Sequence, residues 1–294
     1  GRHLALPMED YPDLTFGRAN DAFVRVGTEL GAKAVRKALA EVGLEPTDVD
    51  VIFTTTVTGV ATPSLDARLV NLLGLRPDVK RVPMFGLGCV AGAAGTARLA
   101  DYLEGHPNDV GVLLSVELCS LTMQRGDFSV ANLIASGLFG DGAAALVGVG
   151  AERARTLAIQ GPRIVATQSR FYPNTERVMG WDVGDTGFQI VLDASVPDVV
   201  KANIRHDVDQ FLGQQGLARE DIATWIAHPG GPKVLTAFEE SLDLPADALR
   251  HTWTSLEAVG NLSSSSVLFV LRDTLADDAP LPGSHGLMMA MGPG

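Results

Sequence analysis

Cysteine is scarce. Two residues in 294, Cys89 and Cys119, cannot build a disulfide framework, so a reducing cytoplasm is the expected location. Basic charge is short as well: 23 Lys and Arg stand against 35 Asp and Glu, a formal net charge of −12. A nucleic-acid partner is therefore not expected, because phosphate contacts need a basic field. No apolar run approaches the roughly 20 residues that cross a bilayer, so no membrane span is expected. The two cysteines and six histidines never fall into C-x-x-C or H-x-x-x-H spacing, so no metal site is expected. No G-x-S-x-G elbow is present either, which removes the hydrolase built on one.

What is present is core. Hydrophobic residues make up 46% of the chain, with 32 glycines, enough for one large domain or two ordinary ones. The chain opens at Gly1 and closes at Met291-Gly292-Pro293-Gly294 directly after a strand-like run. Both ends read as those of a fragment.

Helical and strand patterns alternate. Val24 to Val42 carries apolar residues at helical spacing and stops at Gly43. Val49 to Thr56 is short, β-branched and apolar, as a strand buried on both faces should be. Leu65 to Leu73 reads as a helix, Lys80 to Phe85 as a strand, Val90 to Leu103 as an Ala/Gly-rich helix and Val110 to Val116 as another buried strand. Short connections between such units define an α/β class.

Two stretches repeat this order. Gly43-Leu44 leads through Asp48-Val49 to Val51-Ile52-Phe53. At an offset of 173 residues, Gly216-Leu217 leads through Asp221-Ile222 to Trp225-Ile226. Gly88-Cys89-Val90 and Gly260-Asn261-Leu262, 172 residues apart, each open a helix in this reading, and Val112 to Val116 answers to Leu287 to Met291. Chance likeness of two βα units is the alternative. Duplication predicts two similar halves, 1–150 and 151–294, about a pseudo-twofold axis.

The repeat gathers polar residues that are far apart in sequence. Cys89 and Asn261 become equivalent, each at a helix start, and His228 closes the strand matching Val51 to Thr55. A helix N-terminus favours a thiolate, and a neighbouring imidazole lowers the thiol pKa further by pairing as His⁺ with S⁻. Asn and His donors suit a developing oxyanion. Each residue also has a plain reading. Asn261 alone is a helix cap, Cys89 alone a small buried hydrophobe, and His228 before Pro229-Gly230-Gly231 a turn residue. Gly86-Leu87-Gly88-Cys89-Val90-Ala91 approaches a dinucleotide fingerprint, but a cysteine stands where pyrophosphate would lie.

Phe85-Gly86-Leu87-Gly88-Cys89-Val90-Ala91-Gly92 and Leu138-Phe139-Gly140-Asp141-Gly142-Ala143-Ala144 resemble the signatures of type III polyketide synthases, the chalcone and stilbene synthase superfamily. So do His228-Pro229-Gly230-Gly231-Pro232, Gly260-Asn261-Leu262-Ser263-Ser264 and the closing Gly292-Pro293-Gly294. The likeness runs over essentially the whole chain. It implies a thiolase-like fold, duplicated α/β halves in a five-layered α-β-α-β-α arrangement, and a homodimer. It also implies acyltransferase activity on acyl-CoA and malonyl-CoA without an added cofactor. On that footing Cys89 is the nucleophile that takes the acyl group, while His228 and Asn261 support decarboxylation and the Claisen oxyanion. Phe139 matches a gatekeeper, and Ile190 stands near a second one that is often Phe, which suggests a roomier passage. Cys119, Thr122 and Ser263 fall on cavity-wall positions, and Thr62 on a loop that in relatives reaches the partner subunit's cavity. Met291 replaces a common Phe. In plant-type relatives the basic residues that hold coenzyme A phosphates lie in N-terminal segments, and roughly that part is expected to be absent from this sequence.

Gly1-Arg2-His3-Leu4, Val57-Thr58-Gly59-Val60-Ala61, Pro63-Ser64-Leu65-Asp66-Ala67-Arg68 and Met179-Gly180-Trp181-Asp182-Val183 look similar to the actinobacterial branch that makes alkylpyrones. A fatty acyl-CoA starter and a pyrone or resorcinol-type product are therefore expected. Three alternatives stay open: a malonyl-CoA-primed aromatic synthase, a ketoacyl synthase III-like enzyme and a non-catalytic acyl-CoA-binding protein. The second usually carries His-Gln-Ala-Asn where this chain has His228-Pro229-Gly230-Gly231.

Overall fold

The computed structural model describes residues 1–293. It opens with α1 (Phe16–Glu41), β1 (Val51–Thr56), α2 (Leu65–Leu73), β2 (Lys80–Phe85), α3 (Ala91–Gly105) and β3 (Val110–Leu118). There follow α4 (Val130–Leu138), β4 (Asp141–Val149), α5 (Ala151–Leu157) and a hairpin of β5 (Met179–Gly184) and β6 (Gly187–Leu192). The remainder is α6 (Val196–Gln214), β7 (Ile222–Ala227), α7 (Pro232–Leu242), α8 (Arg250–Val259), α9 (Ser266–Asp277) and β8 (His285–Met289). Helix α1 begins earlier than the expected Val24. The Thr15 side chain caps it by accepting from Arg18 N–H, and Ala19, Ala22 and Phe23 extend its buried face.

Strand alternation sorts the side chains into layers. In a sheet of order β2-β1-β3-β4, Ile52, Val112 and Leu114 face a core shared with Val35 and Leu39 of α1 and Leu69 of α2. Their neighbours Val51, Phe53 and Leu113 face the other way, onto Leu99 of α3 and Val267 and Val270 of α9. Ile226 of β7 joins this second core, while Trp225, Ala227, Leu287 and Met289 turn to a third with Val208 of α6 and Leu235 and Phe238 of α7. Helix, sheet, helix, sheet and helix thus stack in five layers, with α3 and α9 in the middle.

The repeat is visible in the pairing. β1 runs parallel to β3, and β7 parallel to β8. Ahead of each first strand lies a short 3-10 turn closed by its last aspartate. Asp48 accepts from Glu45 N–H at 2.9 Å, and Asp221 from Ala218 N–H at 2.8 Å. The shared Gly-Leu…Asp spacing therefore encodes one piece of local chemistry used twice.

Candidate active site

Cys89 lies in a 3-10 turn, Gly88–Val90, that joins β2 to α3. Two glycines make its position possible. Gly88 has φ +56°, where a side chain is strained, and a Cβ there would lie 2.5 Å from Pro293. At Gly92 a Cβ would lie 2.2 Å from the Ser264 carbonyl oxygen, so the start of α3 rests directly on the 3-10 turn Ser263–Ser265.

Asn261 does not open a helix as the repeat predicts. It forms an isolated parallel bridge with Phe139, donating N–H to Leu138 O and accepting from Gly140 N–H, both at 2.9 Å. Helix α9 starts only at Ser266. The Asn261 side chain is committed locally: Nδ2 donates to Gly230 O at 3.2 Å, and Oδ1 accepts from Ser263 N–H at 2.8 Å. That leaves one Nδ2 hydrogen without a partner among the described residues. Ser263 in turn accepts from Cys89 Sγ at 3.5 Å. Gly230 N–H donates to His228 O at 2.8 Å, and His228 N–H to Met289 O at 2.9 Å. Cys89, Ser263, Asn261 and the His228–Gly230 loop are thus linked by consecutive contacts across both halves.

Their electrostatics differ from the expected ion pair. Cys89 is buried, and desolvation pushes its thiol up to about 12. The Ser263 hydrogen bond works against that, while the charge of Glu117 adds to it. His228 is 1% exposed, and burial lowers its imidazole to about 4, so the ring is neutral. Both of its nitrogens lack a partner among the described residues. Buried polar atoms are rarely orphaned, so two on one ring make His228 a candidate for contact with a reacting molecule. Burial thus favours the neutral form of both groups, against the helix-end field that favours a thiolate.

Phe139, Ile190, Cys119 and Thr122 line one cavity of about 50 Å³, together with Asn132 and Trp181. Ser263 is not in that wall; it sits against Cys89. Thr62 is exposed on the loop before α2, outside the wall. Sequence reasoning missed Trp181 and Asn132 as wall residues, and it missed Glu117. This glutamate is fully buried at the end of β3 and accepts from Ser264, from Thr58 at 2.9 Å, from Thr56 at 3.3 Å and from Val57 N–H at 3.1 Å. An ionisable residue inside the apolar run Val110–Leu118 was the available signal. Among the described residues no group of His, Cys, Asp or Glu could hold a metal ion, and no helix is long and apolar enough to cross a membrane.

Family models for the chalcone and stilbene synthases match over residues 8–153 (N-terminal domain) and 163–294 (C-terminal domain). The chain is 55% identical over 294 residues to a 1,3,6,8-tetrahydroxynaphthalene synthase of Streptomyces peucetius subsp. caesius, covering all of this chain and 78% of that protein. It is 36% identical over 301 residues to a putative chalcone synthase of Bacillus subtilis, covering all of this chain and 82% of that protein. The crystal structure of 1,3,6,8-tetrahydroxynaphthalene synthase from Streptomyces coelicolor, described as a bacterial type III polyketide synthase, superposes with a TM-score of 0.92 at 31% identity. That match covers 99% of this chain and 82% of the other.

Proposed function

The chain belongs to the chalcone and stilbene synthase family, type III polyketide synthases of thiolase-like fold that act as acyltransferases on coenzyme A thioesters, and from that premise we propose that it builds an aromatic polyketide from malonyl-CoA alone. The observation that carries this reading is the 55% identity, over the whole chain, to a relative named for tetrahydroxynaphthalene, a compound whose ring carbons divide into two-carbon units. Cys119, Thr122 and Asn132 place polar groups in the wall they share with Phe139 and Ile190, which suits oxygen-rich acyl units.

In this reading residues 1–150 supply the nucleophile and residues 151–294 the donors. The Cys89 sulfur attacks the thioester carbon and a C–S bond forms. Coenzyme A leaves as the thiol, carrying the proton given up by Cys89. A second malonyl-CoA then loses carbon dioxide. Its enolate oxygen is held by the His228 ring N–H and by the free Nδ2 hydrogen of Asn261, neutral donors in a dry site. The enolate carbon attacks the Cys89 thioester, a C–C bond forms, and the sulfur departs as thiolate. The working unit is a homodimer in a reducing cytoplasm, with the exposed Thr62 loop directed at the partner.

A fatty acyl-CoA starter leading to a pyrone is the second reading. Ile190, standing in the wall where relatives often carry Phe, favours it, because the smaller side chain leaves room for an alkyl tail. Incubation with malonyl-CoA alone, then with acyl-CoA starters, decides between the two when products are identified by mass spectrometry beside a Cys89→Ala control. An aromatic product from malonyl-CoA alone supports the first reading. Pyrones formed only with an acyl-CoA support the second. Absence of both product and acylated Cys89 rejects both.

A further inference from the structure

Ser263 is the one residue of the cluster that touches both Cys89 and Asn261, and its backbone is unusual. Its φ is +50°, a left-handed conformation uncommon for a residue with a side chain, and one that persists only where its surroundings impose it. The conformation has two consequences. It aims the N–H at Asn261 Oδ1, 2.8 Å away, and it turns the hydroxyl toward Cys89 Sγ, 3.5 Å away. Ser263 is 3% exposed, so water does not compete for either contact.

The surroundings that hold it are also visible. Ser264 donates to Glu117 and shares a 2.6 Å hydrogen bond with Ser115; Ser265 shares one of 2.8 Å with Ser115. Leu262 N–H donates to Ser266 Oγ at 2.7 Å. The turn is therefore pinned on both sides of Ser263, and the hydroxyl of Ser263 itself is left for the sulfur.

We propose that Ser263 is a catalytic residue that steadies the charged sulfur of Cys89 and sets the orientation of the Asn261 amide, rather than a passive part of the cavity wall. This rests on the reading of Cys89 as nucleophile. A serine hydroxyl both accepts and donates. Against the resting thiol it accepts the S–H. Once the thiol has given up its proton, rotation about one bond lets the same hydroxyl donate to the thiolate, with no movement of the backbone. The N–H bond to Oδ1 keeps the Asn261 Nδ2 end facing Gly230 and the reaction site in both states. Two other ionisable groups are coupled to Cys89 from adjoining elements: Glu117 at the end of β3, whose charge raises the Cys89 thiol, and Cys119 in the turn after it, which Cys89 in turn raises. Neither one touches Ser263 through a hydrogen bond.

The test is the pH dependence of alkylation in the whole chain. Wild type, Ser263→Ala and Ser263→Gly are treated with iodoacetamide across pH 7 to 10, and labelling at Cys89 and Cys119 is measured separately by peptide mass spectrometry. Glycine accepts the left-handed backbone without strain and keeps the N–H, so Ser263→Gly removes only the hydroxyl even if the alanine variant folds poorly. Loss of one hydrogen bond to the charged sulfur should shift the Cys89 rate profile up by roughly one pH unit. That is about tenfold slower labelling at any fixed pH. The Cys119 profile should not move. Equal or faster labelling of Cys89 in Ser263→Gly at every pH overturns the proposal. Wild-type acylation by malonyl-CoA or acyl-CoA, measured in parallel, separates this result from failure of the functional reading. A displaced profile without acylation leaves Ser263 as a thiolate partner but removes the enzyme.

Discussion

Replacing Glu117 with Gln should change how stability varies with pH, by an amount that follows from burial. The carboxyl is inaccessible to solvent, and dehydration raises it from 4.5 to about 7, against the pull of hydroxyl and N–H donors from Ser264, Val57, Thr58 and Thr56. A folded-state pKa above the unfolded one means that the native protein binds this proton more tightly. The contribution is therefore fully present below about pH 4.5 and lost as pH rises through about 7. The shift corresponds to roughly 3 kcal/mol at about 1.4 kcal/mol per pKa unit. Gln at this position is neutral throughout. It is accommodated if Ser264 turns its hydroxyl from Glu117 toward Ser115, 2.6 Å away, and accepts from the new amide. The difference in unfolding free energy, Glu117→Gln minus wild type, should rise by roughly 3 kcal/mol between pH 4 and pH 8. At about 2 °C per kcal/mol, that is a relative melting shift of about 6 °C in favour of the variant. Taking the difference cancels every other titrating group. Denaturant titrations at the two pH values measure it. Parallel curves for the two proteins would show that Glu117 titrates in its ordinary range and that burial does not govern it.

Two other substitutions probe the same cluster. His228→Gln should abolish product formation at every pH. It should also flatten the acid limb of stability, because the wild-type imidazole, lowered from 6.5 to about 4, contributes roughly 3 kcal/mol above pH 6.5 that is lost as pH falls toward 4; an unchanged acid limb in urea titrations would refute this. Gly92→Ala puts a methyl 2.2 Å from a backbone carbonyl oxygen and 2.6 Å from Val267. It should cost about 1–3 kcal/mol and lower kcat by parting Cys89 from Ser263. Gly105→Ala, with open space around it, is the control, and equal thermal stability of the two variants would sink the packing argument.

Much of the site was legible because local chemistry repeats itself. The Gly-Leu…Asp spacing before β1 and β7 has one cause, an aspartate closing a 3-10 turn, and it placed His228 after the second strand. Cys89 was legible from the glycines around it. Glu117 was hidden, since a carboxyl inside an apolar strand gives no sign of which hydroxyls meet it. Ser263 was legible only as a wall position. Its contact with the sulfur depends on a left-handed φ that no pattern in Asn261-Leu262-Ser263 announces.

Alternation of buried side chains, helix caps and the duplicated spacing are properties of neighbours along the chain. For that reason the α/β class followed from sequence alone, and the spacing singled out Cys89, His228 and Asn261 as candidates before any contact between them was visible. Protonation state and cavity size depend on what is packed around a group from distant segments. The helix end argues for a thiolate at Cys89, whereas enclosure by residues from both halves pulls toward the thiol. Ile190 argues for a wide passage, and Trp181 across the hairpin and Asn132 on α4 stand in the same wall. Both balances are set by dehydration and packing, which exist only once the chain has folded.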